Sequence, residues 1–435
     1  MHDEKSRKAL RYRWLIFGIM ATAYVFVYFH RQCPAVVALD LQRAFHASAG
    51  LLGLLASAYF YPYAVLQLPA GLLSDSLGPR RTATVFLMIA VVGSVLFGMA
   101  GSWETAVAAR AMVGVGVSMV FIPTMKVLSQ WFRVREFATM MAILNIMGGI
   151  GAYLATKPLA LFSGWVGWRA SFEMIGAGTL VIAILVWLVV RNKPQDLGWP
   201  SLAEIDHQGP GTVSSPAQIS LWQGVRRVVT EPRFWPLAFW FFLIGGSLFS
   251  FLGLWAGPFL QHVYGMNKSE VGNILSTIAL AMIVGSPLMS FASDRIFHSR
   301  KIVMILSALG LVGILLVLNL MPDGLSRPAL YAIVFWFCVC TSAIVVIGFT
   351  TAKELFPLEI AGTSVGTVNL FPFLGGAIMQ IVLGQVLDAY PRTASGGYPV
   401  QAYSEMLIVL LGAAIVALVC TFLIKETFPL SSDSG

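Results

Sequence analysis

The chain has 435 residues, of which 57% are hydrophobic and 11% charged, where an ordinary soluble domain is roughly a quarter charged. So few charged groups cannot cover a water-soluble protein of this size. A soluble enzyme, a secreted disulfide scaffold and a nucleic-acid binder are therefore excluded, despite a net charge of +8.

Apolar runs of membrane-crossing length recur from Trp14 to Ile424, so the bilayer is the chain's first partner. A helix needs about 20 apolar residues to cross the hydrocarbon layer. That length predicts spans near 14–39, 48–74, 82–101, 104–131, 137–163 and 170–190. Six more follow near 234–262, 269–292, 301–321, 328–352, 360–388 and 401–424. Lys5, Arg7, Lys8, Arg11 and Arg13 precede the first run, which ends in no small-residue cleavage site. It is read as a retained span. The stretch 191–232 is polar and rich in Pro, Gly and Ser. The expectation is an all-α membrane protein of twelve transmembrane helices: a bundle over 1–190, a cytoplasmic linker over 191–232, and a second bundle over 233–435.

Lysine and arginine are retained on the cytoplasmic side. With both termini inside, nineteen of the 28 fall in cytoplasmic segments, five in external ones, and four within spans. The last four are Arg31, Arg110, Lys126 and Lys157. This bias favours an even number of crossings. Cys33, Cys338, Cys340 and Cys420 all lie in apolar runs and read as free packed thiols.

The halves repeat. Gly71-Leu-Leu-Ser-Asp75-Ser-Leu-Gly78-Pro-Arg80-Arg81 follows the second span. Ser290-Phe-Ala-Ser-Asp294-Arg-Ile-Phe-His-Ser-Arg300-Lys301 follows the eighth, and a shift of 219 places Asp75 on Asp294. Parallel repeats of this kind imply a pseudo-two-fold axis along the membrane normal. The first loop resembles the signature G-x-L-x-D-x-x-G-x-[RK]-[RK] of the major facilitator superfamily. Ala109-Arg110-Ala-Met-Val-Gly114 is similar to that family's R-x-x-x-G segment on the fourth helix. Lys126 to Phe132, Gly253 to Pro258 and Glu354 to Pro357 resemble bacterial sugar-phosphate-permease-like members, and Tyr28-Phe29 with Arg31-Gln32 resembles the anion:cation symporter branch. The resemblance implies an alternating-access transporter in which Gly71, Asp75, Gly78, Arg80, Arg81 and Asp294 form gating loops. It also implies a phosphate clamp of arginines on the first and seventh helices. Here the seventh has none, and Ser250 stands at the 219-shift partner of Arg31.

Charge inside a bilayer is expensive and marks function by default. Arg31, Lys126 and Lys157 are deep cations of the first half, while acids lie near span ends, at Asp40, Glu104, Glu173 and Asp388. A positive interior favours an anionic ligand. Tyr28, Tyr59, Tyr63, Asn145, Asn369 and Gln380 could complete a pocket. Tyr24 and Tyr28, like Tyr59 and Tyr63, are spaced to share one helix face. His30 is the proton-coupling candidate, because imidazole titrates near neutrality. Against each stands a structural reading: Lys126 snorkelling, Lys157 serving carbonyls freed by Pro158, Arg110 with Glu104 holding helices together, His30 and the tyrosines as core.

The six histidines are scattered, and neither H-E-x-x-H nor a phosphate-cradling G-x-x-x-x-G-K-[ST] occurs. No enzyme, cofactor or metal centre is expected. The expected protein is a monomeric inner-membrane transporter of a small organic anion such as a carboxylate or sugar acid, coupled to protons. The alternatives are an exporter of amphipathic compounds and a transporter-like sensor that binds ligand without moving it.

Overall fold

The computed structural model describes residues 2–205, 221–394 and 396–428. Every regular element among them is helical. Among the described residues, eleven helices are long and apolar enough to cross a membrane. One of these, Thr139–Val189, runs for 51 residues, far beyond one crossing. It is interrupted after Leu154 and again at Gly167, where φ is 80°. It therefore supplies two crossings, and the architecture is the twelve-helix one. Within the polar stretch 191–232, residues 206–220 lie outside the described residues. Pro194–Leu197 forms a 3-10 turn and Leu221–Thr230 a helix.

Helix packing divides the chain into two compact units, Met1–Cys33 with Tyr61–Pro216 and Pro34–Phe60 with Ala217–Gly435. Residues 34–60 precede the polar stretch in sequence yet pack with the helices that follow it. In the first unit, His2–Gln32 lies against Val134–Leu154 so closely that a Cβ on Gly151 would fall 2.2 Å from the Val25 carbonyl oxygen. In the second, Leu358–Asp388 meets Phe234–Ser247 with the same intimacy, a Cβ on Gly375 falling 2.1 Å from the Phe242 oxygen. Such small-residue contacts are how helices associate where the solvent is itself apolar.

Four of the expected continuous helices are broken beside a proline; the fifth span, expected over 137–163, is broken between Leu154 and Lys157 next to Pro158. The first span is divided at Cys33 into His2–Gln32 and Pro34–Ala44. The second is divided into Ala49–Ser57, Phe60–Leu66 and Ala70–Ser76, with Pro62 and Pro69 beside the two gaps. The membrane-crossing part of that span is Ala49–Leu66, shorter than the 48–74 read from hydropathy. The fourth is divided near Met119, with Pro123 following. Proline lacks the amide that would bond four residues back, and its ring crowds that carbonyl. Hydropathy sees none of this, because proline interrupts a hydrogen-bond ladder without interrupting an apolar run.

Candidate functional site

The break at Pro34 has a specific chemical consequence. Without an amide at residue 34, the carbonyl of His30 loses its helical partner. The guanidinium of Arg110, from Trp103–Ser118, fills the vacancy, with Nη2 donating to the His30 oxygen at 3.1 Å and Nη1 to Cys33 Sγ at 3.8 Å. Arg110 is 1% exposed. Glu104, grouped with it from the sequence, is exposed at the start of the same helix and is not its partner. The ring nitrogens of His30, fully buried, have no hydrogen-bond partner among the described residues.

Arg31 follows immediately and is 6% exposed. Its guanidinium lies over the Tyr28 ring at 4.6 Å and the Tyr63 ring at 5.1 Å, and the Tyr63 hydroxyl is within its hydrogen-bonding reach. Planar guanidinium stacks on aromatic faces in this way. Tyr24 extends the aromatic wall, its ring centroid 5.2 Å from that of Tyr28. Gly148 makes room for both, since a Cβ there would meet the Tyr28 ring at 2.9 Å. Asn145, half-buried, is three residues earlier on that helix and so shares its face.

The other deep cations are placed differently. Lys126 forms an ion pair with Asp75 and donates to the Ser74 carbonyl at 3.0 Å, so it is engaged at the Asp75 loop. Lys157 is half-buried at the break before Pro158 and makes no ion pair among the described residues. Tyr59 and Tyr63 do not repeat the spacing of Tyr24 and Tyr28. The helix is interrupted at Ala58–Tyr59, and Tyr59 belongs to the second unit. There it is fully buried against Phe60.

In the loop itself Gly78 is required twice. Its φ is +81°, and a Cβ would sit 2.7 Å from the Asn192 amide nitrogen. Asn192 accepts from the Arg80 amide at 3.0 Å, and the Arg80 guanidinium donates to the Trp187 carbonyl at 2.8 Å. Gly71 has open space where a side chain would go, and Arg81 is exposed. In the second copy Asp294 pairs with Arg300, which also faces Glu354 at 3.6 Å. The left-handed residue there is His298, φ 48°, and not Phe297 at the glycine's place. A π-helical stretch, Ala292–Phe297, inserts the extra residue.

In the second unit Gln380 is fully buried, and its amide donates to the Phe249 carbonyl at 2.9 Å. Phe249 lies in a π-helical stretch, Leu248–Trp255. The Gln380 side-chain oxygen has no partner among the described residues. Asn369 is half-buried on the same long helix.

The sequence left one constellation unassigned. The N-terminus of Ala49–Ser57 is clasped by groups from the far end of the chain. Asp388 accepts from the Ala49 amide at 2.8 Å and the Gly50 amide at 2.7 Å. Tyr398 donates to Asp388 and accepts from Ala49 at 3.2 Å. Burial, and then the Asp388 carboxylate, hold the Tyr398 hydroxyl above its usual range, so it stays a donor. Arg392 donates to the Ala47 carbonyl at 2.8 Å, and Lys268 pairs with Asp40. A carboxylate aimed at unsatisfied helix amides is stabilised by the dipole and by charge-assisted hydrogen bonds. Asp40 and Asp388 at span ends were visible in the sequence, but Lys268 and the Ala49 amide lie 228 and 339 residues away from them along the chain.

The family model for the Major Facilitator Superfamily matches residues 20–380. The chain is 24% identical to a probable sulfoacetate transporter of Cupriavidus necator, covering 92% of this chain and 93% of that one. It is 25% identical to a hexuronate transporter of Escherichia coli K12, covering 88% and 89%. A bacterial homologue of the human lysosomal transporter Spinster, solved in an inward-facing unoccupied conformation, has the same fold at a TM-score of 0.71 and 16% identity, over 95% of this chain and 98% of that one. The chain belongs to the Major Facilitator Superfamily.

Proposed function

We propose that the protein is a monomeric alternating-access carrier that moves a small organic anion, a carboxylate, sugar acid or sulfonate, together with protons across the inner membrane. The observation that carries the anion is Arg31, a buried guanidinium stacked on Tyr28 and Tyr63. The printed substrates of the two relatives, sulfoacetate and hexuronate, are small organic anions and support the same class. The lysine and arginine bias supports cytoplasmic termini. Asn145, Lys157 and the free Gln380 oxygen are polar groups suited to ligand hydroxyls, and Lys126 serves the Asp75 loop. His30 is the proton candidate. A proton there sits beside Arg110, so taking it up is linked to release of Arg110 from the His30 carbonyl.

The clasp on residues 47–50 fits an external seal that opens once per cycle. A Cβ on Gly50 lies 3.7 Å from Gln385 Cγ, close enough for a disulfide between Gly50→Cys and Gln385→Cys. The test is uptake into proteoliposomes, with sulfoacetate, galacturonate and glucuronate as probes and an imposed pH gradient. Expected are accumulation that follows the gradient, about hundredfold weaker binding in Arg31→Ala, and arrest by the oxidised cysteine pair that reductant reverses. Binding without flux identifies a sensor instead, and unaltered binding in Arg31→Ala refutes the anion site.

A further inference from the structure

The second unit holds an apolar cavity of about 250 Å³, whose lining includes Leu288, Met289, Ala292, Leu306, Trp336 and Cys340. Its walls are the helices Thr277–Phe291, Arg300–Leu320 and Arg327–Thr341. The first and third meet at Gly285, where a Cβ would fall 2.5 Å from the Ser342 hydroxyl and 3.2 Å from the Val339 Cα. The second and third meet at Gly310, where a Cβ would fall 2.7 Å from Cys340 Sγ. Small residues let the helices touch at those two points, and the space beside the crossings is left unfilled. Leu288, Leu306 and Trp336 are 40%, 45% and 49% exposed, so the cavity opens on the side that hydrocarbon covers. Water gains nothing in such a crevice, because it offers too few hydrogen-bonding groups.

One turn beyond Ala292 the chain places Arg295, exposed, with exposed Ile296 and Phe297 beside it. The neighbouring cations are occupied. Arg300 is held by Asp294 and Glu354, and Lys301 donates to the Phe422 carbonyl at 2.7 Å. Arg295 makes no ion pair among the described residues. In the first copy of the loop the corresponding residue is Ser76, so this cation belongs to the second copy alone. A cation one turn from the end of an apolar groove matches an anionic headgroup above an acyl chain. We propose that the cavity seats one acyl chain of an anionic phospholipid whose phosphate rests on Arg295, making the degenerate second loop a lipid site. This inference is independent of the transported substrate.

The test uses the full chain in nanodiscs carrying phosphatidylglycerol or phosphatidylcholine with a photoreactive acyl tail, and maps the labelled peptides. Phosphatidylglycerol label should concentrate on residues 288–292 and 336–340. Ala292→Phe, which fills the cavity, should abolish that enrichment, and Ala292→Leu should reduce it. Arg295→Ala, on the surface and harmless to folding, should lower phosphatidylglycerol labelling about fivefold and leave phosphatidylcholine labelling at its weak level. Label spread evenly over the lipid-facing helices, equal labelling by the two lipids, or enrichment that survives both Ala292→Phe and Arg295→Ala overturns the proposal.

Discussion

The carbonyls of His30 and Phe249 stand 219 residues apart, at matching places in the two sequence repeats, and each lies where its helix departs from α-geometry. In the first unit Pro34 removes an amide, and Arg110 answers the orphaned oxygen with a guanidinium. In the second a π-helical turn opens the backbone, and Gln380 answers with a neutral amide. The same backbone problem is thus solved with charge on one side and without it on the other. The next residue follows suit, Arg31 in the first unit and Ser250 in the second. The difference teaches that the positive field is built locally around the first helix. Arg110 there has a structural task, which is why Arg31 is the cation we propose for the ligand.

The largest effect that tests this contrast is on stability. Arg110→Ala leaves the buried His30 carbonyl with only the weak Cys33 thiol donor at 3.4 Å and empties a large buried side chain, so it should lower unfolding stability by about 3 kcal/mol. Gln380→Ala should lose about 1 kcal/mol, the worth of one neutral hydrogen bond. Thermal unfolding of the two variants in one detergent measures the gap, and equal losses would erase the distinction. Pro34→Ala sharpens it from the other side. The new amide returns to the His30 carbonyl and displaces Arg110. Unfolding temperature should then hold or rise while uptake falls, and uptake equal to wild type would show that the break has no part in transport.

The smallest effect is near the N-terminal end of the same helix. Arg13 Nη1 donates to Glu136 at 2.8 Å and Nη2 to its other oxygen at 3.2 Å. Burial by itself would raise the Glu136 carboxyl, but the Arg133 amide and Arg13 outweigh it and hold the group below 4.5. A carboxyl depressed in the folded state contributes stability above its unfolded value and loses it as pH falls through the folded one. Wild-type stability should therefore decline below about pH 4.5 more steeply than that of Glu136→Gln. Parallel pH profiles would show that the pair contributes nothing.

Much of the architecture was legible without coordinates, because the hydrocarbon layer imposes its length on each apolar run. The duplicated acidic loop was legible too, though not its slip from Phe297 to His298, which depends on a π-turn that leaves no mark in composition. Arg31 and the tyrosines were legible as a stripe on one helix. The hydrogen-bond partners of Arg110, Lys126 and Gln380 were not, since they are chosen by which neighbouring helix brings a carbonyl or carboxylate to 3.1 Å or less.

By itself the sequence determined that the chain spans a membrane twelve times in two related halves, and that its buried cations belong to the first. Those properties follow from transfer free energies and are additive along the chain. Only the tertiary structure decided that residues 34–60 pack with the second half, that Asp388 caps a helix begun 339 residues earlier, and that Pro34 hands a carbonyl to Arg110. Each of these depends on a backbone group left without its helical partner, and three-dimensional proximity alone determines what fills the gap.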